Sequence, residues 1–214
     1  MSDGFELRGV TVEGNDRPRL HEVDLDLPAA GITVLAGPSG SGKSTLLRLL
    51  NRLEVPDAGA VRWRGADLDE VDVLLHRRQV GMVFQAPTVA PGTVFENLGI
   101  GAIDLDAASA IDLLSVVSLD PSFLEREATE LSGGERQRVC LARTLATGPA
   151  MILADEPTSA LDPDATEVIE ALARRLAGPD SPMTVGWVWV SHDPGQIERL
   201  ADRVVRMDQG RVMS

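Results

Sequence analysis

The 214 residues include 43% hydrophobic side chains, enough for a buried core in one large domain or in a core with a small subdomain. A formal charge of −13 and a pI near 4.6 exclude a general affinity for nucleic acid or for anionic lipid. No apolar run approaches the roughly 20 residues that span a bilayer, the first residues lack the flank and stretch of a signal peptide, and the single cysteine, Cys140, permits neither an internal disulfide nor a cysteine metal cluster. A cytoplasmic chain without direct membrane insertion is expected.

In chain order, residues 5–12 and 20–27 alternate apolar with polar positions around a turn-rich GNDRP, which predicts an antiparallel β segment. ITVLAG (32–37) is a short apolar run ending in glycine, and TLLRLLNRL (45–53) then takes helical spacing. VGMVFQ (80–85), MILADEP (151–157) and MTVGWVWVSHD (183–193) predict buried strands of a mostly parallel sheet, and RVVRMDQGRVM predicts a closing hairpin. Between Gln85 and Leu131 the character changes: AASAIDLLSVVS has apolar residues at 111, 114 and 117, and LSGGERQRVCLARTLAT resumes helical spacing after a glycine pair. A small helical unit is therefore inserted there. Residues 162–178 form a further helix with an acidic first turn, a basic last turn and a closing glycine, as the helix dipole favours. GPDSP (178–182) predicts a loop.

GPSGSGKST, residues 37–45, meets the P-loop pattern at Gly37, Gly42, Lys43 and Ser44, in the strand-to-helix context the pattern requires. Glycines let successive backbone N–H groups turn inward on phosphate, the helix start adds its positive end, Lys43 reaches the outer phosphates, and Ser44 can ligate Mg²⁺. Lys43 is the only lysine among 20 cationic residues, so indifferent placement would put it here with one chance in 20. A tight nest accepts a compact ammonium in place of a broad guanidinium. Asp155 and Glu156, at the end of an apolar strand, suit a Mg²⁺ ligand and a group that deprotonates an attacking water. LSGGE (131–135) is a second anion-binding helix start, with a plain N-cap as the alternative.

With these motifs in order, the chain resembles the nucleotide-binding subunit of an ATP-binding cassette (ABC) transporter. GPSGSGKST matches the Walker A loop (Gly37, Pro38, Ser39, Gly40, Ser41, Gly42, Lys43, Ser44, Thr45), Gln85 the Q-loop, and LSGGE the family signature. MILADEP matches Walker B, SALD (159–162) the D-loop, and His192 in SHD the switch histidine. The resemblance implies an α/β P-loop NTPase fold with a RecA-like core and mostly parallel sheet, an antiparallel β subdomain and an inserted helical subdomain. It implies one domain over 1–214, with residues 1–85 and 150–214 as catalytic core and 86–149 as helical unit. It further implies ATP and Mg²⁺ as ligands, with Ser44, Gln85 and Asp155 at the metal, and Glu156, His192 and Gln85 as catalytic residues. A head-to-tail pair, expected to be a homodimer, would bring Ser132, Gly133 and Gly134 of one subunit to the γ-phosphate held by the other. TVFEN (93–97) falls where the family faces a transmembrane permease subunit, which would hold this chain at the inner face of the membrane and recognise the cargo. APTVAPGTVFENL and VGWVWVSHD are similar to segments of bacterial cassettes that move metals or phosphate.

Rival cassette classes fit less well. DNA-repair cassettes carry long coiled coils and bind DNA, whereas this chain has no heptad run and a strongly negative charge. Ribosome-associated cassettes join two cassettes in one chain, and a non-hydrolysing interaction module would not need both Glu156 and His192. A strand-end histidine bonded to Asp193 is the bland alternative for His192. His21 and His76 are expected to be structural, Trp187 and Trp189 to be packing residues, and Cys140 a small buried hydrophobe. In one respect the chain departs from the family: the ring that stacks on adenine, often tyrosine, would fall near Gly14, and the chain has no tyrosine. Arg17 and Val12 are the candidate substitutes, and weaker adenine selectivity is expected.

Overall fold

The computed structural model describes residues 3–102, 104–178, 181 and 183–213. Strands β1 (Gly4–Val12) and β2 (Leu20–Pro28) pair antiparallel and are joined by β4 (Ala58–Trp63) and β5 (Ala66–Asp67) in a sheet of order β2-β1-β4-β5. On β2 the buried residues Leu20, Val23, Leu25 and Leu27 alternate with more exposed ones, as a strand with one dry face requires.

The second sheet has the order β10-β9-β3-β8-β7-β6, built from β3 (Ile32–Ala36), β6 (Val80–Val83), β7 (Met151–Asp155), β8 (Gly186–Ser191), β9 (Arg203–Asp208) and β10 (Arg211–Met213). All its pairings are parallel except the final hairpin of β9 with β10. Its central strands are buried on both faces, which explains their continuous apolar runs. Alternate residues of β3 divide between two cores: Ile32 and Val34 face one, and Leu35 faces the other.

The first core takes in α3 (Val94–Gly99), α4 (Ala107–Val116), α5 (Gly133–Leu145) and α6 (Pro163–Ala177), together with Trp187 and Trp189. Both indoles are buried, with ring centroids 5.9 Å apart, in the packing role expected of them. The second core joins the antiparallel sheet to α1 (Lys43–Leu50) through Leu46, Leu47, Leu49 and Leu50. Truncating a fully buried side chain of this size costs about 2–5 kcal/mol.

Several elements were not expected. Besides β4 and β5, helices α2 (Val73–Gln79) and α7 (Pro194–Leu200) appear, and two short 3-10 turns (Pro121–Glu125 and Ala128–Glu130) precede α5. The helix after the P-loop begins at Lys43 and not at Thr45, because Gly42 serves as its N-cap. The strand begun at Val80 ends at Val83, short of Gln85. Of the GPDSP loop, residues 179, 180 and 182 lie outside the described residues.

Candidate functional site: a cavity at the strand ends

Parallel register brings the site together. Ala36 pairs with Ser191, and Asp155 with Val190, so β3, β7 and β8 end at one level. The residues that follow these ends are the P-loop, Glu156 and His192. Ligands of open parallel sheets bind beyond such carboxyl ends.

Gly42 caps α1 with φ 101°, and a Cβ there would lie 2.6 Å from the Arg19 carbonyl, so only glycine lets the loop pass. The helix start places Lys43 inward, 6% exposed. Its Nζ donates to the carbonyls of Gly37 (2.9 Å) and Pro38 (2.8 Å) and lies 3.4 Å from Ser41 Oγ. Burial pushes the ammonium pKa down, and the attraction of Glu156 and Asp155 opposes that shift. A buried cation held by neutral oxygens of its own loop is poised for a stronger, anionic acceptor.

Ser44 Oγ donates to Asp155 Oδ1 at 2.9 Å, which ties the P-loop to the end of β7. Burial is the main cause that raises the Asp155 pKa, with neighbouring Glu156 adding to it, while the Ser44 bond lowers it. These oxygens fit a hard divalent cation. Among the described residues no cluster of three His, Cys, Asp or Glu side chains forms a metal cage, so Mg²⁺ here would rely on few protein ligands and on substrate oxygens, as it does at phosphate sites.

Glu156 sits in the left-handed region, φ 46°, a conformation that persists in a non-glycine residue only where its surroundings enforce it. His192 Nδ1 lies 3.3 Å from Glu156 Oε1. The histidine thus meets the strand-end glutamate, while Asp193 instead caps α7 through the Gly195 amide. Gln85 Nε2 donates to Ser159 Oγ at 3.2 Å, joining the segment after β6 to the one after β7.

A cavity of about 490 Å³ runs from Ser39, Gly40 and Gly42–Thr45 past Gln85 and Glu156, and on to Arg17, Pro18, Arg19 and Gln209. Ser132, Gly133 and Gly134 do not line it. Ser132 caps α5, accepting from the Glu135 amide at 3.3 Å, while Glu135 Oε2 accepts from the Ser132 amide at 2.8 Å. Ser132 and Gly133 are exposed. Val12 is 1% exposed and packs in the core, which removes it as a substitute for the missing ring; Arg17 lines the cavity. Gln209, in the turn between β9 and β10, was not anticipated, since nothing local to DQG marks more than a hairpin turn. His76 is buried with Nε2 2.7 Å from the Leu50 carbonyl, and His21 pairs loosely with Glu22 at 3.6 Å; neither lines the cavity.

Fold and strand-end groups together define a P-loop nucleotide-binding protein with a mixed α/β architecture. Comparison with known proteins narrows the class. Residues 20–159 match the family model for ABC transporters. Rice protein STAR1 (Oryza sativa subsp. japonica) is 46% identical over 98% of this chain, which spans 61% of STAR1's length. The nickel import ATP-binding protein NikO of Rhodobacter capsulatus is 40% identical, over 99% of this chain and 88% of NikO. Among solved structures, a dimeric ATP-binding cassette in a post-hydrolysis state, bound to ADP and Pi, superposes with a TM-score of 0.85 at 30% identity, over 98% of this chain and 97% of that one. The chain belongs to the ABC transporter family, as one of its ATP-binding cassettes.

Proposed function

We propose that this cassette hydrolyses ATP in a head-to-tail pair of identical subunits and thereby drives a separate transmembrane permease. The observation that carries the proposal is the convergence of Lys43, Ser44, Asp155, Glu156, His192 and Gln85 on the ends of adjoining parallel strands. Pro38, Ser39, Gly40, Ser41 and Thr45 shape the phosphate nest around Lys43, and Glu156 acts as general base on the attacking water. His192, within reach of Glu156, orients that base and the terminal phosphate. Ser44, Asp155 and Gln85 present the oxygens that suit Mg²⁺, which when bound neutralises charge on the outer phosphates.

The capped helix start at Ser132, Gly133 and Gly134, with Ser132 and Gly133 exposed, supports a paired site: an anion-binding terminus that lines none of its own subunit's cavity is available to a second subunit's phosphate. No described helix is long and apolar enough to cross a membrane, so association with the membrane would run through the permease. A groove of about 500 Å³ beside Gln85, lined by Phe84, Pro87, Val89, Ile100, Cys140 and Arg143, supports docking there, with Phe84 and Ile100 about half exposed. It adjoins the helical unit proposed over 86–149, while residues 1–85 and 150–214 form the catalytic core.

Glu156→Gln keeps the shape of the base and removes its basicity. The variant should form an ATP-dependent dimer in light scattering and release phosphate at least about a hundredfold more slowly than the parent. Undiminished phosphate release would show that another group is the base.

A further inference from the structure

The strand ends that carry Glu156 and His192 are joined by a buried polar chain outside the phosphate nest. Gln196, 6% exposed on α7, accepts a hydrogen bond from Trp189 Nε1 at 3.2 Å and donates to Thr158 Oγ1 and Glu170 Oε1, each at 2.9 Å. Trp189 lies on β8 shortly before His192, and Thr158 lies in the turn that begins at Glu156. Glu170, on α6, is closed from its other side by Arg199, whose Nε and Nη2 donate to the two carboxylate oxygens at 2.9 Å each. Burial disfavours the Glu170 charge, but the Arg199 fork and the Gln196 amide outweigh it and hold the carboxyl below its ordinary range.

Only one orientation of the Gln196 amide satisfies this chain. Its oxygen must face the indole N–H, which can only donate, and its NH₂ must face the Glu170 carboxylate, which can only accept. Flipping the amide would set donor against donor and oxygen against oxygen. A buried network with a single solution fixes the elements it joins. Here it joins α7, α6, β8 and the Glu156 turn. Glu156 holds a left-handed backbone, and Gln196 and Thr158 line, with Glu156 and His192, a cavity of about 250 Å³.

We propose that Gln196 is a positioning residue for hydrolysis: through Thr158 and Trp189 it holds the Glu156 turn and the His192 strand end in register, so that the two side chains meet. The inference rests on the ATPase function proposed above. Gln196 lines no part of the phosphate cavity, so its loss changes turnover and leaves nucleotide binding in place.

Gln196→Glu sets a second carboxylate against Glu170. It should lower kcat between about tenfold and a hundredfold, as misplacement of a reacting pair does, with KM and the ATP dissociation constant held within about threefold. Thr158→Val severs only the link to the Glu156 turn and should lower kcat in the same way; it carries the test if Gln196→Glu does not fold.

Normal kcat per nucleotide site in Thr158→Val overturns the proposal. So does a parallel loss of binding and turnover, which a merely structural role produces. Glu156→Gln, assayed alongside, separates the two claims: full turnover in that variant defeats the ATPase function itself. An inactive Glu156→Gln with a fully active Thr158→Val defeats only the positioning role.

Discussion

Arg17 offers the sharpest test of how the base is held. In the proposed site Lys43 sets the phosphate end, which puts the nucleotide base toward Arg17, Pro18, Arg19 and Gln209, and none of the lining residues is aromatic. Nor can a ring be restored where the family has it. A Cβ on Gly14 would lie 2.4 Å from the Arg17 carbonyl and 3.2 Å from Arg19 Cγ, so the loop itself excludes a side chain there. Arg19 is engaged by Glu54 and by the Glu13 carbonyl, whereas Arg17 has no carboxylate partner among the described residues. A guanidinium over a base at an exposed site contributes about 0.5–1 kcal/mol, against roughly 1–3 kcal/mol for an aromatic ring. Arg17→Ala should therefore weaken ATP binding about two- to fivefold, and Arg17→Tyr, a net gain of at most about 2.5 kcal/mol, should strengthen it by up to about seventyfold. A guanidinium face does not distinguish purines, and the Gln209 amide carries both a donor and acceptors. ATP and GTP should accordingly bind the parent chain within about fivefold of each other, a difference near 1 kcal/mol. Isothermal titration of each nucleotide against the parent and both variants measures this. An ATP preference above about thirtyfold, or an Arg17→Ala variant with unchanged affinity for both nucleotides, would refute the argument.

Three further perturbations probe separate parts of the molecule. Lys43→Ala should weaken nucleotide binding by about 2–5 kcal/mol, the cost of stripping a buried charge partner; its ligand-free melting temperature should hold, because burial already disfavours that ammonium. A nucleotide-induced melting shift equal to the parent's would contradict this. His76 is neutral in the fold: burial, more than the nearby Arg52 and Arg77, pushes its pKa below the usual value, against the pull of its bond to the Leu50 carbonyl. The unfolded chain takes up that proton near pH 6.5. The stability it contributes is full above this pH and is lost as pH falls through the lower folded value, by at most about 1.4 kcal/mol per pH unit. Denaturant melts from pH 7.5 to 5.5 should show a shallower slope in His76→Gln, and equal slopes would count against a neutral buried ring. The Cys140 thiol is pushed up by burial and is 6% exposed, so iodoacetamide should modify it at least about tenfold more slowly in the folded than in the unfolded chain. Equal rates would show that the groove leaves it open.

Legibility in the sequence followed how local each signal is. β3, β7 and β8 read clearly because strands buried on both faces must be continuously apolar. By contrast α2 has only His76 buried while Leu74 and Leu75 face outward, which inverts the pattern that marks an amphipathic helix. α7 opens with Pro-Gly and buries only Gln196 and Leu200, too little for a period to show. β4 begins with exposed Ala58 and Gly59, so Val61 and Trp63 are its only buried anchors, and β5 is two residues long.

The candidate site divides in the same way. Its phosphate end is one contiguous segment whose function lies in backbone conformation, so its residue types announce it: Gly42 at φ 101° and Lys43 buried against its own loop. The base end draws on the β1–β2 loop and the β9–β10 turn, and Arg17 and Gln209 carry no pattern that links them before the chain folds. The buried chain through Gln196 is hidden for a further reason. Glutamine, threonine and glutamate on helices and turns read as solvated surface, and only burial turns them into a constraint. That burial falls beside Glu156, one of the non-glycine residues with a left-handed backbone. A strained backbone needs neighbours that cannot rearrange, and a fully bonded amide supplies that more rigidly than apolar packing, because a donor and an acceptor cannot exchange places without loss. The reacting groups are legible from short motifs, while what holds them still is spread over residues that no motif contains.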